Sequence, residues 1–258
     1  MSDFVQRLRN RLQSGPNAPV GSWLMSCSPL VAEAMGHAGF DWAVVDMEHS
    51  QLDTMELISM LQAVGNTGMH PVVRVTVNDT GLIKRALDVG ATTLMVPMVQ
   101  NVEEARAAVA ATRYPPQGVR GVAGMSRASK YATVPNYLTT ANEGIRVIVQ
   151  LETPEAIAQL EKMAAVEGVD AFFIGPADLS ATMGHLGQPA HPEVLKLTEE
   201  AVRRIHACGK VVGTIGGDLT NARRYQAMGF DFVAISTDLS YVVRGAQAAI
   251  AGMREPHA

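Results

Sequence analysis

Short apolar runs recur along the chain at fairly even intervals: VGSWLMS (20–26), WAVVDM (42–47), PVVRV (71–75), TLMVPMV (93–99), IRVIVQLE (145–152), DAFFIG (170–175), KVVGTIG (210–216) and FDFVAIS (230–236). The runs are near-continuous rather than alternating, as expected of parallel strands buried on both faces. Helical patterns fill the spaces between them, and several have readable starts. Asp53 with Glu56, and Asn101 with Glu104, each read as an N-cap with a carboxylate three positions on. Thr153-Pro154 reads as a cap followed by proline at the first helical position. Several helices close on a small-residue break (HAGFD, ALDVGA, HACGK, AMGFD), where glycine can take the left-handed conformation that ends a helix.

Eight β-α units in 258 residues predict a TIM (β/α)8 barrel, a single domain over 1–258. A doubly wound open sheet is the competitor, but the first turn, SCSPLVAEA, has no glycine-rich phosphate fingerprint. One connection is long, over 112–144. It contains YPPQGVRG and RASKYATVPNYL and predicts short helices. A loop of that length in a barrel reads as a functional cover rather than as slack.

Composition narrows the function classes. Aromatic residues are only 5% against 47% hydrophobic overall, so the core is mostly aliphatic. The net charge is −4 and no basic stripe is present, which argues against a nucleic-acid partner. Two cysteines, Cys27 and Cys208, read as free thiols in a reducing compartment. No stretch approaches the roughly 20 apolar residues of a membrane span. The amino-terminal MSDFVQRLRNRLQSG is amphipathic and charged, without the apolar run of a signal peptide, so a cytoplasmic protein is expected.

In a barrel of this kind, chemistry collects at the carboxyl ends of the strands. Those ends carry Trp23; Asp46, Glu48 and His49; Arg74; Gln150 and Glu152; and Gly175, Pro176 and Asp178. The opposite ends offer little beyond Asp41, His70, Arg146 and Lys210. Gln150 and Glu152 are two apart and point the same way, into the barrel mouth. Asp178 follows the neighbouring strand, about 4.8 Å away in a parallel sheet. Bare carboxylates at that spacing would repel, and a divalent cation removes the cost. Oxygen ligands, few in number, suit Mg²⁺ or Mn²⁺, with Co²⁺ as a substitute. The plainer alternative is that Glu152 or Asp178 caps the helix after it.

His49 lies three residues after Asp46, a spacing that suits a carboxylate-oriented general base or, equally, an unrelated surface pair. Arg74 interrupts an apolar strand. It reads either as a structural ion pair with Glu48 or, preferentially, as a cation that steadies a developing oxyanion. After Gly175-Pro176, the backbone N–H groups of Ala177 and Asp178 could receive a carboxylate. Gly216-Gly217 could bind phosphate, but a plain turn is the better reading.

WAVVDMEHS, PVVRV, YPPQGVRG, VQLET and FIGPADLSATMGHLGQPAHPEV together resemble the 4-hydroxy-2-oxoheptanedioate and 2-keto-3-deoxy-glucarate aldolase family. The similarity spans roughly 20–240. It implies a metal-dependent pyruvate aldolase without a Schiff base. On that resemblance Glu152 and Asp178 hold the metal and Arg74 stabilises the enolate oxygen. His49, held by Asp46, moves protons. Gln150 positions water or substrate, and Trp23 lines the pocket. Pyruvate and aldehydes are the implied small-molecule partners. The resemblance also implies a homo-hexamer that exchanges its C-terminal helix, for which DLSYVVRGAQAAIAGM is the candidate; an ordinary eighth barrel helix fits that segment equally well. On the same reading, Asp88 faces a neighbour's site.

The residues agree with the metal route. Retro-aldol cleavage needs an electron sink, which is a Lewis-acid metal or a lysine imine. Of Lys84, Lys130, Lys162, Lys196 and Lys210, three fall in helical patterns and Lys210 at the wrong strand end, leaving only Lys130 within conceivable reach. Oxaloacetate decarboxylation uses the same enolate chemistry and stands as the alternative activity. A non-catalytic barrel that binds 2-oxo acids is the alternative of a different class, and it would need neither carboxylate.

Overall fold

In the computed structural model, which describes Val5 and residues 19–254, strands β1 (Val20–Leu24), β2 (Trp42–Asp46), β3 (His70–Arg74), β4 (Thr93–Val96), β5 (Arg146–Leu151), β6 (Val169–Ile174), β7 (Val211–Ile215) and β8 (Phe232–Thr237) pair in chain order. All the pairings are parallel, and β8 returns to β1 to close the barrel. The eight strands coincide with the eight apolar runs. The amphipathic amino-terminal segment, apart from Val5, lies outside the described residues.

Helices α1 (Pro29–His37), α2 (Thr54–Gly65), α3 (Thr80–Asp88), α4 (Val102–Thr112), α5 (Tyr137–Thr140), α6 (Pro154–Ala158), α7 (Leu160–Ala164), α8 (Pro176–Thr182), α9 (Pro192–Ala207), α10 (Leu219–Met228) and α11 (Asp238–Arg254) connect them. The anticipated caps form. Asp53 accepts from the N–H groups of Met55 and Glu56, while Glu56 accepts from the Asp53 N–H at 3.0 Å, a reciprocal box. Asn101 accepts from Glu104 N–H, but the Glu104 carboxylate reaches one residue further back, to Gln100 N–H at 2.7 Å. Thr153 caps α6 through the Ala156 N–H. Each such cap contributes about 1 kcal/mol. Gly229 ends α10 at φ 101°, in the left-handed region where a side chain would be strained.

Side chains alternate across each strand, so one set fills the barrel and the other meets the helices. The inner set includes Trp23, Trp42, Val44, Val72, Met95, Ile148, Ala171, Phe173 and Phe232, all buried. The three large rings Trp42, Phe173 and Phe232 make edge and tilted contacts at 5.2 and 6.1 Å. They fit because small residues face them: a Cβ on Gly213 would stand 2.2 Å from the Phe232 ring. The inner rows run Trp42-Val44-Asp46, Val72-Arg74, Ile148-Gln150-Glu152 and Ala171-Phe173-Gly175. The first three rows begin in apolar packing and end, two residues at a time, in polar side chains at the carboxyl rim, and the fourth ends in Gly175, which leaves room for them.

The long connection follows α4, so it runs from a helix to a strand and belongs at the amino-terminal end of the barrel. Its residues confirm that placement. Arg120 and Arg127 bond to Asp88 and to the Val89 carbonyl, at the foot of α3. Ala128, Val134 and Tyr137 line a cavity of about 420 Å³ with His70, Thr93 and Arg146, which start their strands. The expected cover therefore does not lie over its own barrel's mouth. Short helical turns do form in it, α5 and a 3-10 turn at Ala141–Gly144. No described helix is long and apolar enough to cross a membrane, and both cysteines are free.

Candidate active site

Asp46 and Arg74 are register partners on β2 and β3. Their side chains point inward at the same height and meet as a bidentate pair, Nε–Oδ1 2.8 Å and Nη2–Oδ2 2.7 Å. Asp46 Oδ1 also accepts the Glu48 N–H at 3.0 Å. Burial alone would raise the Asp46 pKa, but the hydrogen bonds and charge of Arg74 outweigh it and hold the carboxyl below its usual range. The third arm of the guanidinium, Nη1, stands 2.8 Å from Glu48 Oε2. That approach is an ion pair without good hydrogen-bond alignment, since Oε2 accepts no hydrogen bond of normal geometry. Trp23 supports the arginine from one side, its ring 5.0 Å from the guanidinium carbon. Both readings of Arg74 therefore survive: it forms the ion pair with Glu48, and it keeps two N–H groups beyond the three used on carboxylates.

The sequence pairs His49 with Asp46, and the structure corrects this. Both oxygens of Asp46 are taken by Arg74, because register places the arginine opposite Asp46 whereas His49 has left the strand. His49 is 60% exposed, and the carboxylate beside it is Glu48, at 4.0 Å.

Glu152 follows β5 and is 2% exposed. Its Oε1 accepts Gln150 Nε2 at 2.7 Å and its Oε2 accepts the Met98 N–H at 2.8 Å. Met98 adopts φ 52°, an uncommon conformation for a side-chain-bearing residue, which aims that N–H. The Glu152 pKa is raised to about 7: burial is the largest cause, the Met98 N–H opposes it, and Asp178 and Glu48 add to the rise. No cationic side chain is among the groups that lower it. Gly175 makes this packing possible: a Cβ there would stand 2.8 Å from Glu152 Oε1 and 3.2 Å from Gln150 Nε2.

Asp178 lies in the first turn of α8, whose N-cap is Gly175 with no side-chain capping bond. Thr153, not Glu152, caps α6. Neither carboxylate is thus used as a cap. Pro176 is buried, Ala177 exposed and Asp178 partly buried, all at the start of α8. Gln150 Oε1 is buried and has no partner. Two carboxylates on neighbouring strand ends and an orphaned amide oxygen, with no cationic side chain among the described residues lowering the Glu152 pKa, make a donor set that fits a hard divalent ion.

The Gly216-Gly217 turn leads directly into the cap of the next helix. Asp218 caps α10 through the Asn221 N–H at 2.8 Å, so the chain's own carboxylate fills that helix end. Lys130 lies in the long loop at the far end of the barrel, Lys84 on α3, Lys162 on α7 and Lys196 on α9, and Lys210 Nζ bonds the Val169 carbonyl at 2.6 Å. None of these stands at the mouth.

Three contributors escape a reading of the sequence as site members. Glu48 is one in part: it reads as a rim residue and a partner for Arg74, but its influence on Glu152 does not show in the sequence. The Met98 N–H is a backbone group and leaves no signal in residue type. Asp238 is buried and binds the N–H groups of Met25 and Ser26 at 3.0 and 3.1 Å, holding the loop after β1.

A model of the family described as HpcH/HpaI aldolase/citrate lyase matches residues 20–245. A "Pyruvate aldolase" of Rhizobium etli is 46% identical over 244 residues, covering 95% of this chain and 96% of its own. A "4-hydroxy-2-oxo-heptane-1,7-dioate aldolase" of Klebsiella pneumoniae is 48% identical over 230 residues, covering 89% and 87%. The crystal structure of an HpcH/HpaI aldolase/citrate lyase family protein from Burkholderia cenocepacia superposes with a TM-score of 0.92 at 40% identity, covering 96% of this chain and 99% of that one.

Proposed function

The chain belongs to the HpcH/HpaI aldolase/citrate lyase family, and from that premise we propose how its own residues carry out the chemistry. The protein is a carbon–carbon lyase, a class II pyruvate aldolase acting on small molecules, and its family implies a divalent metal ion. Glu152 and Asp178 hold that ion, with Mg²⁺, Mn²⁺ or Co²⁺ as the candidates. When bound, it polarises the 2-oxo group of a 4-hydroxy-2-oxo acid and draws negative charge toward that oxygen.

Gln150 orients substrate or water through its unpartnered Oε1, while its Nε2 fixes the Glu152 rotamer. Arg74, held rigid by Asp46 and Glu48, directs its two remaining N–H groups at the developing enolate oxygen. The Ala177 and Asp178 N–H groups, at the start of α8, face the substrate carboxylate, and Gly175 and Pro176 shape that turn. His49, with Glu48 as its charge partner, takes the proton of the C4 hydroxyl. The C3–C4 bonding pair then moves onto C3 and the enolate oxygen, C4 leaves as an aldehyde, and a proton returned to C3 gives pyruvate. Trp23 floors the pocket and supports Arg74.

We read the whole chain as one catalytic domain that assembles as a homo-hexamer. Helix α11 supports the exchange of a C-terminal helix. Apart from Asp238 it buries none of its residues, and Val242, Val243 and Met253 are 60%, 54% and 83% exposed. An ordinary barrel helix would lay such a face on its own strands.

The observation that carries the proposed site is the raised Glu152 beside Asp178 and the orphaned Gln150 oxygen, with no cation to balance them. The test is chelation. Stripped enzyme should form no pyruvate from a 4-hydroxy-2-oxo acid, and single divalent ions should restore it. Activity that survived chelation, together with inactivation by borohydride in the presence of substrate, would refute the metal route. Following CO₂ beside aldehyde release separates oxaloacetate decarboxylation from aldol cleavage.

A further inference from the structure

Beyond the oxygen-lined site, one other group of side chains is arranged to bind an ion. Among the described residues, His185, His191 and Glu193 form the only set of three or more histidine, cysteine or carboxylate groups whose ligand atoms all lie within 4.8 Å of one another. We propose that these three residues form a second metal site that takes a borderline-soft transition ion such as Zn²⁺, distinct from the hard-ion site at Glu152 and Asp178.

The backbone builds the cluster. The connection between α8 and α9 is tied by His185 N–H to the Ser180 carbonyl at 2.7 Å, Gln188 N–H to the His185 carbonyl at 2.9 Å and His191 N–H to the Gln188 carbonyl at 2.9 Å. These bonds fold the loop back so that the two imidazoles stack, with centroids 3.5 Å apart and planes 16° apart. Glu193, in the first turn of α9, reaches His185 Nε2 at 2.8 Å.

The distances suit the ion. Around a tetrahedral Zn²⁺ with bonds of about 2.0–2.1 Å, neighbouring ligand atoms stand roughly 3.3 Å apart. The three ligand atoms already lie within 4.8 Å of one another, and binding would require the His185–Glu193 contact to open and one of the stacked rings to turn its nitrogen toward the ion. The bond that would compete is weak: His191 Nδ1 accepts the Glu193 N–H at 3.3 Å. Two imidazoles and one carboxylate favour Zn²⁺ over Mg²⁺, whereas the all-oxygen set at the barrel mouth favours the reverse. An ion here would staple the loop that follows the Asp178 helix to the first turn of α9.

The test uses untagged full-length protein held in excess Mg²⁺ and titrated with Co²⁺. Nitrogen-ligated, four-coordinate Co²⁺ absorbs intensely in the visible, and six-coordinate oxygen-ligated Co²⁺ only faintly. The expected result is an intense band that saturates at one equivalent per chain and is displaced by Zn²⁺. His185→Gln should abolish it. So should His191→Asn, which keeps a good N-cap for α9. Zn²⁺ affinity should fall at least tenfold in each, while Mg²⁺-supported pyruvate formation stays at the wild-type rate and reports an intact fold. Absence of the intense band in the wild type, or its persistence in either variant, overturns the proposal.

Discussion

Asp46 and Glu152 end inward-facing rows at the same rim of the barrel, one on β2 and the other just past β5, and both are almost fully buried. Asp46 faces an arginine in register, and its carboxyl is held below the usual range. Glu152 faces another carboxylate and an amide, and its pKa is pushed up to about 7. The contrast locates the missing charge. A buried carboxylate is tolerable when a partner neutralises it. One cluster carries its cation in the chain, and the other, on the proposed function, takes its cation from outside.

The comparison can be broken from either side. Arg74→Ala removes the internal cation and leaves Asp46 buried and uncompensated. Its expected cost is about 3–5 kcal/mol of stability, as for breaking one side of a buried pair, read by denaturant unfolding, and pyruvate formation should be lost with it. Glu152→Gln removes a charge that no cationic side chain among the described residues is seen to balance. Metal-free stability should hold or rise, while turnover at saturating metal falls about 10²–10³-fold, the scale for losing one electrostatic contributor to the transition state. If the two variants behaved alike, the distinction between the clusters would fail.

Gly175→Ala sharpens the picture without touching a charge. Its Cβ would press on Glu152 Oε1 and the Gln150 amide. Metal affinity by calorimetry should fall about 10–100-fold, the range for disturbed support around a ligand, with the Arg74 cluster intact.

A last test is the pH dependence of the metal-free protein. The folded-state pKa of Glu152, about 7, lies above its ordinary 4.5. The folded protein therefore keeps a proton that the unfolded chain releases in that window. This contribution to stability is fully present below pH 4.5 and is lost as pH rises toward 7. The melting temperature of chelated protein should decline across that range, and Glu152→Gln should flatten the decline. Added metal should reverse the slope, because the ion takes the place of the proton.

Much of this was legible in residue order. The eight strands, the cap residues Asp53, Asn101 and Thr153, and the convergence of Gln150, Glu152 and Asp178 all follow from local periodicity and residue type. The His49–Asp46 pairing was misread because closeness in sequence stood in for closeness in space. His49 has Glu48 beside it, while Arg74, 28 positions from Asp46 in the chain, lands opposite it. The long loop was read as a functional cover from its length alone, although its position after a helix and before a strand assigns it to the end away from the mouth. Met98 left no signal, because it acts through a backbone N–H and an unusual φ.

Residue pattern by itself determined the barrel and put the polar groups at one rim, since the two-residue alternation of a strand and the order of β-α units are local properties of the chain. Which carboxylate meets which cation was decided only by tertiary structure. Closing eight strands sets the height of each residue against its neighbour, and a shift of one position in register would exchange the inner and outer faces of a whole strand.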